Sequence, residues 1–126
     1  MKYLTLQQLL EVHLLAVRTG GGSEGLRDLG RLESVLATQT QSVFGKELYV
    51  TLVEKAAALI RGIIGDHPFV DGNKRTGLLV GLTFLEINDP IFKASQGELE
   101  DFAVKVATDQ LGVKEIATWL EVRTTS

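Results

Sequence analysis

Two apolar segments, "TLVEKAAALIRGII" (51–64) and "TGLLVGLTFLEI" (76–87), flank the polar stretch "HPFVDGNKRT" (67–76) and constrain the fold more than anything else in the chain. In the first, Val53, Ala56, Ala57, Ile60, Ile63 and Ile64 fall on one helical face, and Gly65 and Asp66 end the helix ahead of Pro68. The second belongs to a helix from about Asn73 to Ile87, where "NDP" stops it. It is too short to cross a bilayer and reads as a core helix.

Other helix starts are marked by capping boxes: Thr5 with Gln8, Thr51 with Glu54, and Ser95 with Glu98. After Thr5, the residues Leu6, Leu10, His13 and Val17 form a stripe that "TGGGSEG" (19–25) terminates. From Asp28 a short helix is expected with Leu29, Leu32, Val35 and Leu36 inward. Two more helices carry Leu99, Phe102, Ala103 and Val106, then Val113, Ile116, Ala117 and Leu120, with Trp119 packing between helices. The stretch 38–50 has no helical period; Phe44, Leu48 and Tyr49 around Gly45 suggest a small hairpin or an extended flap. The expected fold is all-α: a compact six-helix bundle with one irregular or β-hairpin flap near 38–50, forming a single domain over 1–126.

Composition removes several classes of function. The chain has no cysteine, which excludes disulfides and thiol chemistry. Its N-terminus lacks the uninterrupted apolar region of a signal peptide, and a cytoplasmic protein without membrane contact is expected. A net charge of -3 argues against a broad nucleic-acid surface, and with it against a DNA-binding repressor.

The chemistry concentrates in the polar stretch. Lys74 and Arg75 fall in the first turn of a helix, where an exposed cation opposes the macrodipole at about 0.3–1 kcal/mol. An anion at that helix end would reverse the penalty: free N–H groups, the positive dipole end and two cations make a phosphate cradle. Gly72 would admit close backbone approach, and Asn73 would cap the helix or hold the loop. His67, at the other end of the loop, has the chemistry of a general base, and Asp71 offers a hard oxygen to Mg²⁺. Such a set suits phosphoryl or nucleotidyl transfer.

"HPFVDGNKRT" resembles the signature of the Fic/Doc family, in particular its death-on-curing toxin branch. "GGSEGLRDLGRLESVLA", "FGKELYVTLVEKAAAL" and "FLEIN" follow in that branch's order, so the resemblance covers most of the chain. It implies His67 as base, Asp71 as Mg²⁺ ligand, Phe69 as the anchor of the loop, and Gly72, Asn73, Lys74 and Arg75 as the phosphate-binding turn, with ATP as co-substrate. AMP-transferring members read Gly-Asn-Gly-Arg with a second arginine three places later, where this chain has Lys74 and Leu78. The lysine pattern is that of the death-on-curing branch and implies a kinase acting on elongation factor Tu. AMP transfer is the alternative, and a non-catalytic nucleotide-binding regulatory module is a third reading. The resemblance further implies a flap at Phe44, Leu48 and Tyr49 that pairs with the target. No Ser or Thr is followed four residues later by Glu, so the self-inhibitory motif of some members is missing from the sequence. Restraint is expected from a separate antitoxin whose disordered tail folds onto the toxin.

Plainer roles fit other residues. His13 lies on an apolar face and reads as a buried, hydrogen-bonded histidine; a zinc site of His13, His67 and Asp71 matches no standard spacing. Arg61 reads as half of a surface salt bridge.

Overall fold

Helix boundaries follow the caps. The computed structural model describes residues 1–125 and contains six helices among them: α1 (Leu6–Gly20), α2 (Leu29–Ala37), α3 (Leu52–Asp66), α4 (Asn73–Ile87), α5 (Gln96–Thr108) and α6 (Val113–Val122). Thr5, Thr51 and Ser95 open α1, α3 and α5; each hydroxyl accepts the N–H three residues on, and that residue's side chain returns to the cap N–H. Asp28 caps α2 by accepting from the Arg31 N–H.

The organising element is α3, which is buried from Lys55 to Ile60 and again from Gly62 to Ile64. It packs against α4, α6, α2 and α5, while α1 lies on α4. Glycine lets α3 and α4 come this close. A Cβ on Gly81 would lie 2.4 Å from Ile60 Cγ1, and one on Gly77 would lie 2.7 Å from Ile64 Cγ1.

Two antiparallel strand pairs complete the fold. In the first, β1 (Ser42–Val43) pairs with β2 (Lys46–Glu47), joined by Phe44 and Gly45 at φ 51° and 77°. Positive φ at both turn residues matches the twist of a tight hairpin. This is the flap expected near 38–50, with Leu48 and Tyr49 just after β2. The second pair, β3 (Ile91–Phe92) with β4 (Thr124–Thr125), had no counterpart in the sequence reading.

Two expectations need correction. Leu29 is 45% exposed, not inward. It is the first residue of α2, the helix whose Arg31 reaches the Asp66 carbonyl at the end of α3. The buried face of α1 is Leu9, His13, Ala16 and Val17, while Leu6 and Leu10 are only half-buried. Trp119 packs as expected, stacked on Phe102 at 3.8 Å with the Arg123 guanidinium 3.9 Å from its ring centroid. Arg61 pairs with Asp66 at 3.6 Å. No helix among the described residues is long and apolar enough to span a membrane.

Candidate active site

The loop between α3 and α4 begins with a strained residue. His67 is the C-cap of α3 at φ 49°, ψ 58°, with its N–H on the Ile63 carbonyl. A left-handed conformation costs a non-glycine residue about 1–2 kcal/mol. Pro68 disfavours the right-handed alternative at the residue before it. Two arginines hold the turn: Arg27 Nε donates to the His67 carbonyl at 2.8 Å, and Arg31 Nη1 donates to that of Asp66 at 2.8 Å. Their charge also complements the negative end of α3. Sequence reading missed both arginines; they lie about 35–40 residues away, and only their place beside the cap of α2 hinted at such a role.

The middle of the loop is pinned from three sides. Phe69 forms an antiparallel bridge with Leu26, and the Val70 N–H donates to the Gly25 carbonyl at 3.0 Å. The buried Phe69 ring stacks on His13, centroids 3.8 Å apart and planes 6° from parallel. His13 Nε2 lies 2.9 Å from the Asp71 carbonyl oxygen, which only accepts, so Nε2 carries the proton. Asn73 Nδ2 donates to the Phe69 carbonyl and its Oδ1 accepts the Phe69 N–H. Phe69 is thus buried in the middle of the loop, with His13 stacked against its ring and Asn73 bonded to its backbone.

Asp71 is exposed, and each of its oxygens accepts one backbone N–H, from Gly72 at 2.9 Å and from Ser23 at 3.1 Å. A Cβ on Gly22, at φ 112°, would stand 2.8 Å from Asp71 Oδ2. The glycine run therefore does more than stop α1; it lets the chain pass against the Asp71 carboxylate. Each oxygen keeps a lone pair beyond its N–H bond. One such carboxylate fits Mg²⁺, which retains waters and takes further oxygens from phosphate. Among the described residues no group of three or more His, Cys, Asp or Glu side chains is placed to hold a metal ion together, so His13, His67 and Asp71 do not form the zinc arrangement.

The start of α4 is open. Its N-cap is Gly72, at φ 76°, and no side chain caps the first turn. Asn73 is therefore the first helical residue and not the cap; of its two expected roles it takes the second, holding the loop. Lys74 and Arg75 are exposed in that turn, and neither forms an ion pair among the described residues. Arg75 leans on the end of α1, with Nη1 3.4 Å from the Ala16 carbonyl and its guanidinium over Gly20.

These groups border one cavity of about 840 Å³. His67, Asp71, Gly72, Asn73, Lys74 and Arg75 line its polar side, with the end of α1 beside them. Leu78 and Leu82 of α4 and Leu99 and Ala103 of α5 form an apolar side, with Gln96 and Glu100 at its edge. The sequence reading did not anticipate this α5 wall. The flap residues Phe44, Leu48 and Tyr49 lie outside the cavity lining. The cavity thus brings together the groups phosphoryl chemistry can use: an imidazole, backbone amides without a side-chain cap, two cations and a carboxylate.

The Fic/DOC family model matches residues 3–85. A protein named Toxin Doc from Mycolicibacterium smegmatis is 35% identical over 121 residues, covering 94% of this chain and 91% of that relative. A protein named Protein kinase doc from Escherichia phage P1 is 31% identical over 121 residues, covering 95% of this chain and 94% of that relative.

Proposed function

Since the chain belongs to the Fic/Doc family, we propose that it is the toxin of a toxin–antitoxin pair and a Mg-ATP-dependent kinase of a protein hydroxyl. The observation that carries this reading is the convergence of His67, Asp71 and the uncapped start of α4 on one cavity. The name of the phage relative supports phosphoryl transfer as the reaction class. Lys74, standing where AMP-transferring members have glycine, favours the kinase over AMP transfer.

In this reading His67 takes the proton of the target hydroxyl as its oxygen attacks the γ-phosphorus. The bond from that phosphorus to the bridging oxygen breaks, and ADP leaves. Lys74, Arg75 and the free amides of α4 bind and orient the triphosphate. Asp71 would hold Mg²⁺, which when bound neutralises charge on the phosphate oxygens. Asn73, His13 and the Leu26 bridge keep the loop in register so that the base faces the cradle. The β1–β2 hairpin offers an edge along which the target chain pairs. Elongation factor Tu is the target this reading names, and an antitoxin with a tail that folds on binding is the restraint.

The test is a comparison of isotopes. With Mg²⁺ and purified elongation factor Tu, label from γ-labelled ATP should appear on the factor, and His67→Ala should remove it. Label from α-labelled ATP would move the assignment to AMP transfer. ATP binding with neither label on any protein of a lysate would leave a regulatory module.

A further inference from the structure

A lysine lies near the start of the core helix. Lys55 is fully buried, a cation on a helix whose other buried residues are all apolar or glycine. A buried charge without partners carries a penalty of several kcal/mol. Two of its three N–H groups are hydrogen-bonded. Nζ donates to the Gln39 carbonyl and to Glu47 Oε1 at 2.9 Å, and it stands 5.8 Å from the centroid of the Tyr3 ring. Gln39 is a rigid support: its side chain bonds the N–H and C=O of Leu4 and the carbonyl of Leu36.

Glu47 is different in kind. It belongs to β2 of the flap, whose residues 42–47 are all exposed, with Phe44 at 100% exposure on the tip. No apolar side chain of the hairpin itself is buried. The carboxylate of Glu47 is thus the side-chain tie, among the described residues, between the hairpin and the body of the protein. Its other end is a fully buried ammonium.

We infer that Lys55 and Glu47 form a latch, buried at its lysine end, that fixes the position of the flap, making both positioning residues for the protein substrate. The latch itself is a matter of geometry; its bearing on the substrate rests on the reading of the hairpin as the docking edge. Because the flap does not line the nucleotide cavity, unlatching it should alter use of the protein substrate and leave that of ATP alone. A general loss of stability would disturb both.

The variants are Lys55→Met, Glu47→Ala and the double substitution. Methionine keeps the volume and removes the buried charge, so Lys55→Met retains the fold even where Glu47→Ala, which strands an ammonium, does not. Hydrogen exchange over residues 38–50, including the Leu48 N–H bonded to the Gln41 carbonyl, should quicken about tenfold in Lys55→Met while α3 and α4 keep their protection. Adding Glu47→Ala should quicken it no further. Flap exchange unchanged in Lys55→Met, or additive in the double variant, overturns the latch. With γ-labelled ATP and elongation factor Tu, the KM for the protein should rise about tenfold and the KM for ATP should hold. Faster exchange with an unchanged KM for the protein overturns the positioning role and leaves the latch standing. A wild-type protein that labels nothing defeats the kinase reading, and the exchange data still decide the latch.

Discussion

Asn73 holds Phe69 by both sides of its backbone: Nδ2 donates to the Phe69 carbonyl at 2.9 Å, and Oδ1 accepts the Phe69 N–H at 3.1 Å. Both bonds are buried, so nothing replaces them if the amide is lost. Asn73→Ala strands one donor and one acceptor, at a cost of about 2–6 kcal/mol for the two groups. Urea unfolding should show that loss. Transfer activity should fall even at temperatures where the variant stays folded, because His67 and Asp71 sit on either side of the freed segment.

His67 combines the proposed base with an unfavourable backbone. Glycine adopts its φ of 49° without the Cβ clash. His67→Gly is therefore expected to raise stability by about 0.5–1 kcal/mol while removing transfer, whereas His67→Ala removes transfer and keeps the strain. Thermal melts of the two variants side by side check this. A glycine variant less stable than the alanine variant would show that the turn is not strained.

The close approach of α3 and α4 makes Gly81 a sensitive position. A Cβ there meets Ile60 Cγ1 at 2.4 Å and the Ala56 carbonyl oxygen at 3.2 Å, so the helices must part or Ile60 must leave its rotamer. Gly81→Ala should cost about 1–3 kcal/mol in denaturant unfolding. By contrast, Gly97 has open space around its Cβ position, and Gly97→Ala in α5 should stabilise slightly.

What the sequence made legible follows the range of the forces involved. Capping boxes and helical period act within a few residues, so the starts at Thr5, Thr51 and Ser95 and the α4 span read directly. The loop's chemistry was equally local, because its groups lie within ten positions. Contacts between distant residues stayed hidden. Nothing near Lys55 announces that Gln39 and Glu47 will neutralise it inside the core, and the apolar residues around it mask its burial. The same holds for Arg27 on the His67 carbonyl and for β3 with β4, where two-residue strands carry no period to detect. Leu29 was misplaced because its spacing fits the inward stripe, yet it stands in the first turn of α2 and is 45% exposed.

Glu98 gives the fold a dependence on acid. The Ser95 backbone N–H, foremost, and the Arg123 guanidinium hold its carboxyl below the ordinary value of 4.5. The folded state therefore binds this proton less tightly than the unfolded chain. Its contribution is present above the unfolded pKa and is lost as pH falls through the folded one. Melts of wild type and Glu98→Gln should differ at neutral pH and converge as the pH drops below about 4. A gap that persists at pH 2–3 would mean the carboxylate's charge is not what α5 and Arg123 use.

Lys74 should separate stability from binding. In the free protein its ammonium sits in the uncapped first turn of α4 with no acidic residue beside it in that turn. It opposes the helix dipole there, so Lys74→Ala should stabilise the free protein by about 0.3–1 kcal/mol, less at high salt. The same substitution removes a cation from the proposed triphosphate cradle, and Mg-ATP affinity should fall about tenfold. The two effects have opposite signs, which general damage to the fold cannot produce. Calorimetric titration with Mg-ATP and thermal melts at two salt concentrations measure both. Lys74→Gly probes the reaction itself: with the ammonium gone and glycine in its place, labelling should weaken or shift from the γ- to the α-phosphorus. Unchanged affinity and unchanged product would mean that the lysine takes no part in orienting the nucleotide.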